Sequence, residues 1–300
     1  MRLRTNLILL VVLLGLGGYM YWVELPKEKE EAQKKTLFQF KPADVTEVNL
    51  VYADHEIDLK RQGDDWHMTK PLDVAADKVS VDNLVNAISE CEVKKELTDA
   101  STDLATYGLD KPFATVTVKL KDKQLPAVAV GKNTPVGFAT YIQRADDKKI
   151  LLAASSFRSG MDKQAKDLRD KSILNFADND VQKFSLHGES KSIDLAKKGD
   201  AWSVEQPGPY PADSATVHAF LSSLRSMRAV DFPNDNPNDL SNYGLKTPRL
   251  TIDLAVGKDN AAMKVMVGGE NPEKKSEIYV QTSSSPTVYS VSDYVFRDLN

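Results

Sequence analysis

One cysteine, Cys91, stands in 300 residues. A single thiol excludes an intramolecular disulfide, and with it the stapled scaffolds of small secreted domains, while remaining compatible with any compartment. Histidine is scarce: His55, His67, His187 and His218 are the four, and none falls in H-E-x-x-H or beside C-x-x-C. The zinc signatures are therefore missing and no metal is expected, although His55 and His67 could meet across a hairpin. No glycine loop of the phosphate-binding kind occurs outside an apolar run, where Gly15, Gly17 and Gly18 lie. "HGESKS" (187–192) puts Ser192 where a nucleophile elbow needs glycine. "NDNPNDLSN" (234–242) is rich in oxygen ligands but lacks the glycine and closing glutamate of an EF-hand, and reads as a turn and cap. Excess positive charge is absent too. The net charge is −4, which argues against a nucleic-acid surface. No cofactor and no small-molecule ligand is predicted.

Long apolar stretches are also few, and the one at the N-terminus is informative. "MRLRTNLILLVVLLGLGGYMYWVELP" carries Arg2 and Arg4, then an uncharged, mostly apolar run over residues 7–23. As a helix this run spans about 26 Å at roughly 1.5 Å per residue, enough for a thin hydrocarbon core. Tyr19, Tyr21 and Trp22 lie at its far end, where aromatic rings favour the membrane interface. A cleaved signal peptide is the rival reading, but bulky residues follow the glycines where a cleavage site wants small ones. The expectation is an uncleaved signal anchor at 7–23 behind a cytoplasmic N-terminus (1–6). A charged tether (24–36) then leads to the bulk of the chain outside the cytoplasm. In a Gram-negative cell this is a single-pass inner-membrane protein with periplasmic domains.

The remainder is written twice. "IDLKRQGDDW" (57–66) returns as "IDLAKKGDAW" (193–202), a spacing of 136 (202 − 66). The same offset carries Pro71 onto Pro207, Asp77 onto Asp213, and Tyr107-Gly108-Leu109 onto Tyr243-Gly244-Leu245. A register held so long marks an internal duplication. In each copy the opening runs alternate as strands do: "EVNLVY" (47–52), "EIDLKR" (56–61) and "DWHMTK" (65–70) form a meander whose turn glycines are Gly63 and Gly199. Trp66 and Trp202 are expected as core anchors, with ligand stacking the alternative. Val81, Leu84, Val85 and Ile88, and in copy two Val217, Phe220, Leu221 and Leu224, are spaced as one apolar stripe of a helix. Asp77 and Asp213 precede these helices as N-caps rather than catalytic acids.

"DLATYGL" and "DLSNYGL" read as single helical turns opened by Asp103 and Asp239. Gly108 and Gly244 would close them in left-handed Schellman caps, Leu104 meeting Leu109 and Leu240 meeting Leu245. Four strand-like runs close copy one, at 113–120, 124–131, 139–144 and 148–152, with counterparts over 249–291. Residues 155–171, with apolar Phe157, Met161, Ala165 and Leu168, read as a helix connecting the copies. The expected fold class is α+β: a single N-terminal transmembrane helix, then two tandem duplicated α+β domains of meander, helix and further antiparallel strands. The boundaries are repeat one at 37–153, the connecting helix at 154–172 and repeat two at 173–300.

An N-terminal anchor, strand–Gly-Asp-x-Trp, Pro and Ala-Asp before a helix, Tyr-Gly-Leu-x-x-Pro, and "LRDKSILNFADNDV" (168–181) between the copies form a familiar combination. Over about residues 37–300 the chain resembles the bacterial family catalogued as domain of unknown function 4340. That resemblance implies a membrane-anchored protein, some members of the family being similar to, or accompanying, the auxiliary extracytoplasmic component of gliding-motility-type ABC-2 transporters. It supplies no catalytic residues to carry over. One span and no nucleotide-binding motif exclude the transporter's permease and ATPase. Two readings stand: a non-catalytic accessory protein that binds a transporter or other envelope partner, and a periplasmic hydrolase or glycan-binding enzyme whose carboxylates carry no signature. A concave, carboxylate-lined pocket in one copy only would distinguish the second.

Overall fold

A computed structural model describes Tyr19 and residues 36–98 and 103–299. The expected span at 7–23 and the tether lie outside the described residues, Tyr19 and Thr36 excepted. Among the described residues no helix is long and apolar enough to cross a membrane. Two compact units follow one another, Met1–Arg169 and Asp170–Asn300.

In the first unit, strands β1 (Val45–Val51), β2 (Glu56–Gln62), β3 (Asp65–Lys70) and β4 (Val74–Ala76) precede helix α1 (Lys78–Ser89). Then come β5 (Val93–Glu96), β6 (Ala114–Leu120), β7 (Val128–Asn133), β8 (Ala139–Arg144) and β9 (Ile150–Ala154). Helices α2 (Ser155–Gly160) and α3 (Ala165–Leu168) close the unit. The strands form one sheet in the order β4-β3-β2-β1-β6-β7-β8-β9-β5. Every neighbouring pair is antiparallel.

The second unit repeats this plan with β10 (Val181–Gly188), β11 (Ser192–Lys198), β12 (Ala201–Gln206), β13 (Tyr210–Pro211) and helix α4 (Ser214–Arg225). β14 (Asp231–Asn234), β15 (Leu250–Val256), β16 (Ala261–Asn271), β17 (Lys274–Thr282) and β18 (Ser285–Ser292) complete it. The order is β13-β12-β11-β10-β15-β16-β17-β18-β14. The repeat extends to irregularities. Bulges lie between Val45 and Glu47 and between Val181 and Lys183, and again between Asp58 and Leu59 and between Asp194 and Leu195. The Lys70–Pro71 and Gln206–Pro207 peptide bonds are both cis.

Alternation along the strands decides which face is buried. Val48, Leu50, Ile57, Leu59, Met68, Val116 and Val118 all point to one face and are at most 3% exposed. Helix α1 lays Val81, Leu84, Val85 and Ile88 on that face. Each such side chain gains about 1.5–3 kcal/mol on burial. In the second unit Val217, Leu221 and Leu224 of α4 do the same, with Phe220 partly buried beside them.

Two expectations are corrected. The two tandem domains are there, but where α+β was expected the architecture is mostly β, with few helices. The sequence pattern missed β4, β5, β13 and β14, short edge strands without clear alternation, while pairing of β1 with β6 and of β10 with β15 joins the two expected strand groups into one continuous sheet in each unit. The helix expected over 154–172 is broken into α2 and α3, and both pack into the first core. Its backbone is drawn out of the helical ladder by tertiary bonds: Tyr52 Oη donates to the Met161 carbonyl at 2.5 Å, and a His55 ring nitrogen lies 3.1 Å from that of Lys163. Gln164 and Asp167 then start α3 with a reciprocal capping box. Asp77 N donates to Leu168 O at 2.8 Å, and Ala76 bridges Arg169, so this stretch belongs to the first unit.

Candidate functional site

The residues written twice are occupied by structure. Asp77 accepts a hydrogen bond from Ser80 N at 2.9 Å at the start of α1. Asp213 accepts from Ala215 N at 3.0 Å and from Thr216 Oγ1 at 2.8 Å, and these bonds hold its carboxyl below the usual carboxylate range. Asp103 and Asp239 accept from Ala105 N and Ser241 N at 3.0 and 2.9 Å. Gly108 and Gly244 have φ of +68° and +65°. Leu109 N donates to Leu104 O and Gly108 N to Ala105 O, at 3.0 and 3.1 Å. Leu245 and Gly244 bond Leu240 and Ser241 in the same way, both at 3.1 Å. This pair of bonds is the Schellman motif.

What the two Tyr-Gly-Leu turns do is cover the second face of the sheet at its far half. Tyr107 meets Tyr141 of β8 edge-on at 5.0 Å, and Tyr243 meets Tyr279 of β17 at 5.1 Å. Leu109 and Ile150 are buried with Tyr107, as Leu245 and Val288 are with Tyr279. The turn's backbone runs so close to the sheet that Gly131 of β7 and Gly268 of β16 have no room for a side chain. A Cβ at either position would overlap the Tyr107 or the Tyr243 carbonyl oxygen. These glycines were missed in the sequence, although a glycine inside a strand is itself a signal of close backbone approach.

Both tryptophans are 2% exposed, so neither offers a ring to a ligand. Their polar partners differ. Trp66 Nε1 donates to Asp82 Oδ1 at 2.9 Å, and the Arg61 guanidinium lies 4.3 Å from the ring centroid. Burial alone would raise the Asp82 carboxyl. Hydrogen bonds from Lys78 and Trp66, with the charges of Lys78 and Arg61, outweigh it and hold the group low. In the second unit His218 occupies the position of Asp82, and the buried Trp202 Nε1 has no hydrogen-bond partner.

A cluster found in the first copy only joins Tyr52, His55 and the 161–163 segment. The two rings stack at 4.1 Å with 10° between planes. Burial pushes the Tyr52 hydroxyl up to about 12. His55 Nδ1 lies 2.6 Å from Asp54 Oδ1, and Nε2 lies 3.1 Å from Lys163 O. Both neighbours are pure acceptors, so the doubly protonated imidazolium fits best. Desolvation lowers the ring's pKa, but the bonds to Asp54 and Lys163 and the charges of Asp54 and Asp162 raise it further. The corresponding positions of copy two hold Gly188 and Lys191. His67 faces Asp73 at 2.5 Å, so the two histidines have separate partners. Among the described residues no group of three His, Cys, Asp or Glu side chains is placed to hold a metal ion.

The near half of each sheet's second face is solvated. In the first unit it presents Glu47 and Asn49 from β1, Glu56 and Asp58 from β2, and Thr117 and Lys119 from β6. Asn49 Nδ2 donates to Glu56 Oε1 at 2.8 Å, Lys70 Nζ reaches Glu56 at 2.9 Å, and Lys119 reaches Glu47 at 2.8 Å. A shallow depression of about 350 Å³ lies among these side chains. In the second unit the same positions hold Lys183, Ser185, Ser192, Asp194, Asp253 and Ala255. Only the Asp58–Asp194 pair keeps its type. A second groove, of about 590 Å³, lies in the first unit between Phe38, Phe40, Lys41, Asp44, Asp122 and Lys123. Asp44 is paired there with Lys121 at 3.3 Å.

The fold and these surfaces define a duplicated antiparallel-sheet scaffold with two solvated faces of different composition. The chain belongs to the family described as Domain of unknown function (DUF4340), which matches it twice in tandem, over residues 66–206 and 202–300. Both matched stretches begin at the tryptophan strand, so the family's frame is offset from the compact units. No curated protein and no solved structure matches the chain.

Proposed function

We propose that this chain is a single-pass, membrane-tethered accessory protein that works by binding another envelope protein and performs no turnover of its own. Its repeats stand outside the cytoplasm, and the partner is the membrane-embedded part of an ABC-type transporter or a comparable envelope complex. One observation carries the reading. What the copies share serves caps, turns and core, while the solvated sheet faces have diverged. Glu47, Asn49 and Glu56 stand in one copy where Lys183, Ser185 and Ser192 stand in the other. A scaffold kept constant under two diverged polar surfaces is suited to gripping one large partner at two places. A tether raises the effective concentration of that partner in the plane of the membrane. No nucleophile, base and orienter come together among the doubled residues.

The test is co-purification from detergent-solubilised membranes, using the full chain and a version with residues 7–23 replaced. Hydrolase assays on the purified full chain accompany it. A stable protein partner without turnover supports the proposal. Robust turnover, abolished by one carboxylate substitution that leaves the melting temperature unchanged, overturns it in favour of the periplasmic hydrolase.

A further inference from the structure

The β7–β8 hairpin of the first unit ends in an apolar tip that the scaffold does not require. Val136 and Phe138 are each 86% exposed. Phe138 sits at φ +48°, directly after Gly137 at +92°, so a bulky residue is held in a conformation that disfavours it. The tip is built rather than loose. Thr134 Oγ1 donates to Val136 O at 2.8 Å, Thr134 N bonds Ala139 O at 2.8 Å, and Asn133 bonds the Thr140 hydroxyl. The Phe138 carbonyl accepts from Ser155 N at 3.1 Å and from Lys94 Nζ at 3.4 Å. The matching hairpin of the second unit, between β16 and β17, carries Asn271, Pro272, Glu273 and Lys274.

The chain enters the first unit beside this tip. Thr36 bridges Glu92 and Leu37 N donates to Cys91 O at 2.8 Å, so the entering segment lies against the residues that lead into β5. β5 carries Lys94, the residue bound to the Phe138 carbonyl, and the exposed Lys95. Ala139 pairs with Ala154 and Val93 with Ala153, so tip, β9, β5 and entry point lie on successive strands. At about 4.8 Å per strand the tip is roughly 15 Å from the entry. The chain before Thr36 ends in the apolar run 7–23, and a tether of a dozen residues reaches at most about 40 Å.

We infer that the Val136–Phe138 tip, with Lys94 and Lys95 beside it, rests in the headgroup layer of an anionic bilayer next to the anchor. Apolar and aromatic side chains would enter the interface while the ammonium groups meet lipid phosphates, the chemistry of interfacial membrane contact. It would fix how the first unit is presented to its partner. This rests on the membrane-anchor reading above.

Phe138→Cys and, separately, Val136→Cys in the full chain, labelled with the fluorophore NBD and reconstituted into phosphatidylcholine–phosphatidylglycerol vesicles, test it. The native Cys91 is buried and its thiol is pushed up to about 12 by burial, so it stays unlabelled. A Glu273→Cys variant is the aqueous control. We expect blue-shifted emission at 138 or 136, at least twofold quenching by brominated lipid, and neither at 273. Protein that floats with vesicles while both tip labels stay aqueous overturns the inference and leaves the anchor standing. Tip labels shielded from water but indifferent to brominated lipid also overturn it, marking a protein contact. Protein that fails to float overturns the anchor and this inference together.

Discussion

Replacing Gly268 by alanine probes why the Tyr-Gly-Leu turn is written twice. The new methyl group would lie under 3.0 Å from the Tyr243 carbonyl oxygen and 3.0 Å from Leu245 Cγ. That oxygen cannot swing aside freely. It belongs to a turn closed by the Leu245–Leu240 and Gly244–Ser241 bonds, with Gly244 held at +65°. Making room means lifting the turn off β16 and loosening the edge contact of Tyr243 on Tyr279. Overpacking of this kind costs about 1–3 kcal/mol. Alanine also stiffens the unfolded chain, which returns about 0.4–1 kcal/mol. The net is a destabilisation of about 1–2 kcal/mol, or a fall of several degrees in the melting temperature of the unit. Gly188→Ala is the matched control. It lies in the same sheet, its φ is not positive, and its Cβ would find only ordinary contact at 3.6 Å, so it should be neutral or slightly stabilising. Hydrogen–deuterium exchange on the full chain assigns any loss to its unit: Gly268→Ala should loosen residues 240–282, and Gly131→Ala the corresponding part of the first unit. Wild-type stability for Gly268→Ala, or an equal loss for Gly188→Ala, would refute the packing argument.

Trp66→Phe removes a buried bond to a carboxylate and should cost about 1–2 kcal/mol more than Trp202→Phe, whose indole N–H has no partner to lose; paired melting curves decide it. His218→Asp restores in copy two the acceptor that Asp82 supplies in copy one, and should stabilise the second unit by about 1 kcal/mol; a lower melting temperature would contradict it. His55→Gln should reveal a pH-dependent contribution. The folded-state pKa of His55 is raised, so its stabilisation is complete below the unfolded value of about 6.5 and lost as pH climbs through the folded value. The gap between wild-type and variant melting temperatures should be large at pH 5.5 and small at pH 9, and a gap constant with pH counts against the imidazolium.

Much of the scaffold was legible because it is local. The i, i+3, i+4, i+7 stripe, the aspartate before it, and a glycine bracketed by two leucines each announce their geometry within a few residues. Long-range facts were not. β5 and β14 carry "VKKE" and "DFPN", which have no strand alternation of their own and become strands only because β9 and β18 offer an open edge. The broken connecting helix depended on Tyr52 and His55, more than a hundred residues away in sequence. The close approach at Gly131 and Gly268 needed the fold before its reason could be seen. Of the surfaces, the divergence at Glu47 and Lys183 was present in the aligned copies, but only the strand parity shows that these side chains share the solvated face.

Site-specific photo-crosslinking from the full chain in its own membranes tests most directly whether the diverged sheet faces bind a partner. Photo-reactive residues at Asn49 and at Ser185 sample the two solvated faces, and one at Val79, 68% exposed on α1, samples the opposite side of the first unit. Adducts to a discrete membrane-embedded protein are expected from position 49 or 185 and none from 79. Faces that give no adduct, or adducts equally strong from 79, would contradict the claim that the diverged sheet faces are the binding surfaces.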